Sequence, residues 1–217
     1  MEPESHIKIK SKIAGTIITI FVAFAVLMVS VLKSAKTNFA YEPKNLAYSP
    51  MVLSESVESE KAQSIDYLLA YPGKVGPDHP LWYAKVIRDK AWLALTFNAN
   101  KKAELNLLFA DKRLSSAVEL FKNNKPDLGI ATLTKSEKYL ETAESIMTDD
   151  DNFYKKIGLS SLKHREVIEN EILPISPEDL RPQIIKTEDY SKEVYKKVKD
   201  HMLTKGLTPP VNPFETN

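Results

Sequence analysis

The sequence predicts an all-α protein, with a single N-terminal transmembrane helix followed by an irregular antiparallel bundle of about five helices. Three observations carry that expectation. Ile13 to Leu32 is a 20-residue run without a charged side chain. From Leu81 onward, apolar residues recur every three or four positions almost without interruption. No stretch alternates apolar and polar residues over the length of a strand.

Composition narrows the function classes. Of the 217 residues, 30 are Lys or Arg and 29 are Asp or Glu, giving a formal charge of +1. That balance argues against a nucleic-acid protein with a whole-surface basic field. Zero Cys removes disulfides, thiolate metal sites and a cysteine nucleophile together. The balance is uneven along the chain, because Lys8, Lys10, Lys12, Lys33 and Lys36 bracket the apolar run.

The first element is that run, with only Thr16, Thr19 and Ser30 as polar members. At 1.5 Å per residue a helix of this length covers about 30 Å, the hydrocarbon thickness of a bilayer. A cleaved signal peptide has a shorter apolar region followed by a small-x-small site; here Lys33-Ser34-Ala35-Lys36 follows, and Asn38 stands before Ala40. The expectation is an uncleaved anchor in the cell membrane. It leaves residues 1–12 as a cytoplasmic stub and puts the large C-terminal portion outside. Residues 33–65, with Ser54-Glu55-Ser56-Val57-Glu58-Ser59-Glu60-Lys61, read as a solvated linker.

Residues 66–205 read as the bundle. Pro77-Asp78-His79-Pro80 marks a turn, with Pro80 at the first helical position and Asp78 or His79 as cap. A helix over about 80–96 follows, with Tyr83, Val86, Ile87, Ala91 and Ala94 inward. The second, about 99–123, has the clearest seam: Ala103, Leu107, Ala110, Leu114, Ala117 and Phe121. Asn123 to Asp127 is a tight turn, and Asp127 caps a third helix over about 128–148 that buries Ile130, Leu133, Leu140, Ala143 and Met147. Asp149-Asp150-Asp151-Asn152 opens a fourth, about 153–173, with Ile157, Ser161, His164, Ile168 and Ile172 on one face. Ser176-Pro177-Glu178-Asp179 looks like a helix start, but Pro182 favours a restart and a fifth helix over about 183–203. Val194, Val198 and Met202 face inward there, and residues 206–217, rich in Pro, form a disordered tail.

Tyr71-Pro72-Gly73, Pro77 to Tyr83, Arg88-Asp89, Leu95-Thr96, Lys101-Lys102-Ala103-Glu104-Leu105 and Ala110-Asp111-Lys112-Arg113-Leu114 occur in that order. This pattern resembles an uncharacterised bacterial family of helical domains found on single-pass envelope proteins. The likeness covers residues 71–145, about a third of the chain. One departure is Phe97-Asn98-Ala99-Asn100, where the family prefers Asp-Pro. The resemblance implies an extracytoplasmic helical hairpin domain and brings no activity with it.

The residues singled out as structural candidates are Asp78, His79, Pro80, Arg88, Asp111 and Arg113. Arg88 reaching across to Asp111 or Glu104 would fix the hairpin's register; the alternative is ordinary solvated helix faces. His164 is expected as a hydrogen-bonded core residue, and Trp82, Tyr83, Trp92 and Phe97 as core aromatics. No H-x-x-x-H pair, phosphate loop or nucleophile motif occurs, and the Asp149–Asp151 run lacks the Gly and Glu of a calcium loop. No catalytic, cofactor or metal residue is assigned. The expected function is therefore non-catalytic: a membrane-anchored domain for protein interaction, self-association or envelope scaffolding, without nucleic acid. The alternative is a ligand or metal sensor acting through a membrane partner.

Overall fold

In a computed structural model the chain divides into two compact units, residues 1–57 and 58–217. The structure describes residues 65–146 and 149–215 of the second unit, and only Thr19 and Val22 of the first. The expected span Ile13–Leu32 otherwise lies outside the described residues, as does Met147. Among the described residues no helix is long and apolar enough to cross a membrane.

The second unit is all-helical among its described residues. An extended strap, 65–76, leads into α1 (Trp82–Leu95), α2 (Ala99–Lys122), α3 (Pro126–Ser145), α4 (Asp151–Val167) and α5 (Arg181–Thr204). α4 continues through one π turn (Ile168–Ile172) and one 3-10 turn (Leu173–Ile175) that contains Pro174, whose nitrogen cannot donate to the preceding turn.

Small residues repeating at intervals of seven set the geometry of the α2–α3 hairpin. Ala103, Ala110 and Ala117 on α2 are buried, and so are Gly129, Ser136 and Ala143 on α3. Without bulky side chains the two backbones approach closely enough for Ser136 Oγ to donate to the Ala110 carbonyl across the interface, at 2.7 Å. Leu107, Leu114, Leu133 and Leu140 fill the space on either side. Asn124, at φ 56°, takes the left-handed conformation that turns the chain between the helices.

α4 and α5 close the bundle. Ile157, His164, Ile168, Ile172, Ile184, Val194, Val198 and Met202 are all buried. The inward faces expected for α2, α4 and α5 are therefore present, as are Ile130, Leu133, Leu140 and Ala143 of α3.

Several local expectations are corrected. Asp127 sits in the first turn of α3 behind Pro126 rather than capping it. α1 begins at Trp82, not Pro80, with His79 Nδ1 accepting from the Leu81 amide at 3.1 Å. Ser176 starts no helix; its hydroxyl donates to Ile172, and α5 begins at Arg181 with Pro182 in its first turn. The Asp-Pro missing before α2 is replaced by Asn98, whose side chain accepts from the Lys101 amide. Residues 207–215, expected to be disordered, pack back on the bundle: Pro210 is buried, accepts from the Tyr195 hydroxyl at 2.7 Å, and lies against Gly158.

α1 differs most. Tyr83 is 76% exposed, Ile87 68% and Phe97, just beyond the helix, 91%. They belong to no core, whereas Asp89 is buried. Asp89 accepts from the adjacent Arg88 at 2.7 Å and lies near the Lys85 and Lys112 ammonium groups, while Lys85 donates to the Pro72 carbonyl of the strap.

Gly129 tests the close crossing. A Cβ there would lie 2.9 Å from the Phe121 ring. Alanine ordinarily stabilises a helix interior by about 1 kcal/mol over glycine, but overpacking a full interior costs about 1–3 kcal/mol. Gly129→Ala is expected to lower stability by about 1 kcal/mol in urea unfolding, with recovery when Phe121→Leu is added; a more stable Gly129→Ala protein would show that the hairpin has slack.

Candidate functional site

Ala110 and Ser136 mark the tight crossing of α2 and α3, and the next residue on each helix is an acid. Asp111 and Glu137 are both buried. Two carboxylates held this close would repel in a medium of low polarizability. His164 of α4 lies between them with no exposed surface: Nδ1 is 2.7 Å from Glu137 Oε1 and Nε2 is 3.2 Å from Asp111 Oδ1. Both ring nitrogens face carboxyl oxygens, an arrangement that a doubly protonated imidazolium satisfies.

Asp111 collects further donors. Ser160 of α4 donates to Oδ1 at 3.0 Å, and Tyr67 of the strap donates to Oδ2 at 2.8 Å. Ser115, one turn along α2, donates to the Ala70 carbonyl. One carboxylate thus ties α2 to α4 and to the segment that precedes the domain. Glu137 Oε2 is buried without a hydrogen-bond partner among the described residues.

Burial opposes charge on His164, but Glu137 and Asp111 outweigh it and push the imidazole up to about 9. Burial and the Asp111 charge push the Tyr67 phenol up, so it stays a donor. Among the described residues, no group of three or more acidic or His side chains is arranged to hold a metal ion.

A second feature opens on the side of α1. Arg113 follows Asp111 by two positions, and so leaves the other side of α2. Its guanidinium is buried, 4.6 Å from the Tyr139 ring centroid and 5.6 Å from that of Trp82. Its Nε has no hydrogen-bond partner. It lines a groove of about 410 Å³ between α1 and α3, where Lys90, Lys135 and Lys138 supply the remaining charge.

The sequence-derived candidates fall in different places. Asp111 and Arg113 occupy the two features just described. Arg88 engages Asp89, not Asp111 or Glu104, so the expected register pair is replaced by the His164 bridge. Asp78 pairs with Lys125 at 2.7 Å, which holds its carboxyl below the usual range and ties the pre-α1 turn to the α2–α3 turn. His79 serves the helix start, and Pro80 is exposed in the turn. His164 is the hydrogen-bonded core residue expected. Glu137, Ser160, Tyr67 and Tyr139 were not singled out: Glu137 could have been found as an acid adjoining the small-residue seam, whereas Tyr67 gives no periodic signal.

Residues 74–178 match the family described as Domain of unknown function (DUF5667). The match contains Arg113 and the Asp111–Glu137–His164 centre, and stops short of Tyr67 and α5. No curated protein and no solved structure matches the chain.

The raised imidazole gives a pH signature. The folded state holds its proton above the pH at which an unfolded His releases it, near 6.5. The contribution is complete below that pH and is lost as pH rises through about 9. Urea midpoints are expected to fall between pH 6.5 and 9, and to fall less in His164→Gln; parallel profiles for the two proteins would place the proton elsewhere.

Proposed function

We propose that this is a single-pass membrane protein that presents its helical domain outside the cell membrane, and that the domain binds a protein partner or scaffold without catalysis. The reading of location rests on the uncharged run Ile13–Leu32 with its flanking lysines. The observation that carries the interaction is the solvent face of α1. Tyr83, Ile87, Lys90 and Ala94 follow one another at helical spacing and are all exposed, and Leu81, Leu95 and Phe97 extend the apolar surface at both ends. Contiguous exposed apolar surface is a signature of interaction sites in soluble domains, and Asp89 is the only residue of α1 that is fully buried.

The test is purification from native membranes of the full chain and of Tyr83→Glu/Ile87→Glu. Both positions are exposed, so the double variant is expected to keep its melting temperature within a few degrees. The wild-type chain should retain a stoichiometric partner, or copies of itself, that the variant loses. Identical recovery from both proteins would contradict the reading.

A further inference from the structure

We propose that the groove between α1 and α3 is a carboxylate-recognition site for an acidic peptide segment of a protein partner, with Arg113 as its anchor. The proposal rests on the interaction reading above and gives the partner's chemistry.

The first argument is the state of Arg113. A buried guanidinium ordinarily has carboxylates or carbonyls around its five donors. Here the residue is buried at 5% exposure, its Nε has no hydrogen-bond partner, and no carboxylate pairs with it among the described residues. Its contacts are the faces of Tyr139 and Trp82. Ring faces stabilise the cation and leave its N–H edge unused. The nearby buried acid, Asp89, is already engaged by Arg88.

The second argument is the charge of the lining. Lys90, Lys135 and Lys138 accompany Arg113, with no acidic residue in the groove. The three lysines are exposed and form no ion pair among the described residues. A groove between α4 and α5 provides a contrast. Its Arg165, Lys192 and Lys199 pair with Glu169, Glu188 and Glu215, and Asp200 and Glu215 line it beside Lys196. In the α1–α3 groove no carboxylate lines the wall beside its four cations.

The third argument selects the anion. A guanidinium resting near two aromatic rings offers a planar fork, which matches a carboxylate bidentately. The apolar part of the wall, Trp82, Tyr83 and Val86, continues onto the exposed stripe of α1. A ligand that meets both therefore carries a carboxylate next to an apolar side chain, repeated along an extended backbone. Aromatic and Arg side chains in one partly buried pocket are also the composition of interface hot spots.

The probe is a short capped peptide alternating glutamate with phenylalanine, titrated into the full chain in zwitterionic nanodiscs and followed by tryptophan fluorescence. Saturable binding is expected, at least tenfold weaker for the glutamine counterpart and at least tenfold weaker for Arg113→Gln. Since loss of Arg113 could disturb folding, Lys135→Glu/Lys138→Glu is the second variant; both positions are exposed, and it should weaken binding similarly with an unchanged melting temperature. Equal affinity for the two peptides, or binding untouched by the lysine variant, would overturn the proposal. So would a chain that ignores the peptide but binds phosphatidylglycerol vesicles, or one whose groove is closed by self-association. If the peptide fails while Tyr83→Glu/Ile87→Glu still releases a native partner, the groove assignment is wrong and the interaction reading stands; if both fail, both are wrong.

Discussion

Asp111 and Glu137 leave α2 and α3 beside the point where Ala110 and Ser136 bring the backbones together, and His164 lies between the two carboxylates. The constraint is electrostatic and follows from the packing. Small residues at intervals of seven permit a close hairpin, a close hairpin crowds the acids, and crowded acids require a cation. Once the imidazolium is there, α4 must lie where its ring reaches both carboxylates. A buried ionic group of this kind adds little net stability, because desolvation offsets attraction, but any shift of a helix by one turn leaves a charge unpaired. The centre thus specifies arrangement, and the leucine and isoleucine contacts around it supply most of the driving force.

The same centre reaches outward. Tyr67 donates to Asp111, and Ser115 holds the strap backbone one turn further on. The segment entering the domain is thereby fixed along α2 before it turns at Asp78 into α1. α1 then packs with Asp89 on its inner side, paired with the adjacent Arg88 and close to Lys85 and Lys112. An acid directed inward forces the opposite face outward, which leaves Tyr83 and Ile87 in solvent and Trp82 folded beneath Arg113. The exposed apolar stripe and the basic groove beside it are consequences of one choice of rotation.

Much of this was legible in the sequence, for identifiable reasons. The seams of α2, α4 and α5 obey a helical period in residues with no competing role, so Ala103 to Phe121 and Ile157 to Ile172 fall inside as their spacing requires. His164 sits on such a seam, and its burial as a hydrogen-bonded residue follows. α1 fails because periodicity ranks residues by hydrophobicity alone. Tyr83, Ile87 and Ala94 have the spacing of a core face, and nothing local reveals that Asp89 will find partners inward. Likewise Arg88 and Asp111 looked like a cross-helix pair, whereas Arg88 takes the adjacent Asp89. The Asp111–His164 bridge spans 53 positions and the Tyr67–Asp111 bond 44, separations over which a single sequence carries no pairing signal. The tail was misread because proline-rich composition speaks against regular structure but not against packing, and the Pro210 carbonyl caps the Tyr195 hydroxyl.

The central claim is that one imidazolium holds two buried acids together. The most direct measurement is the nitrogen NMR spectrum of the full chain labelled in histidine, with His164 assigned by comparison with His164→Gln, recorded at pH 7.5. The account predicts protons on both ring nitrogens of His164, with a titration midpoint near pH 9. A neutral ring with one unprotonated nitrogen at pH 7.5 would contradict it.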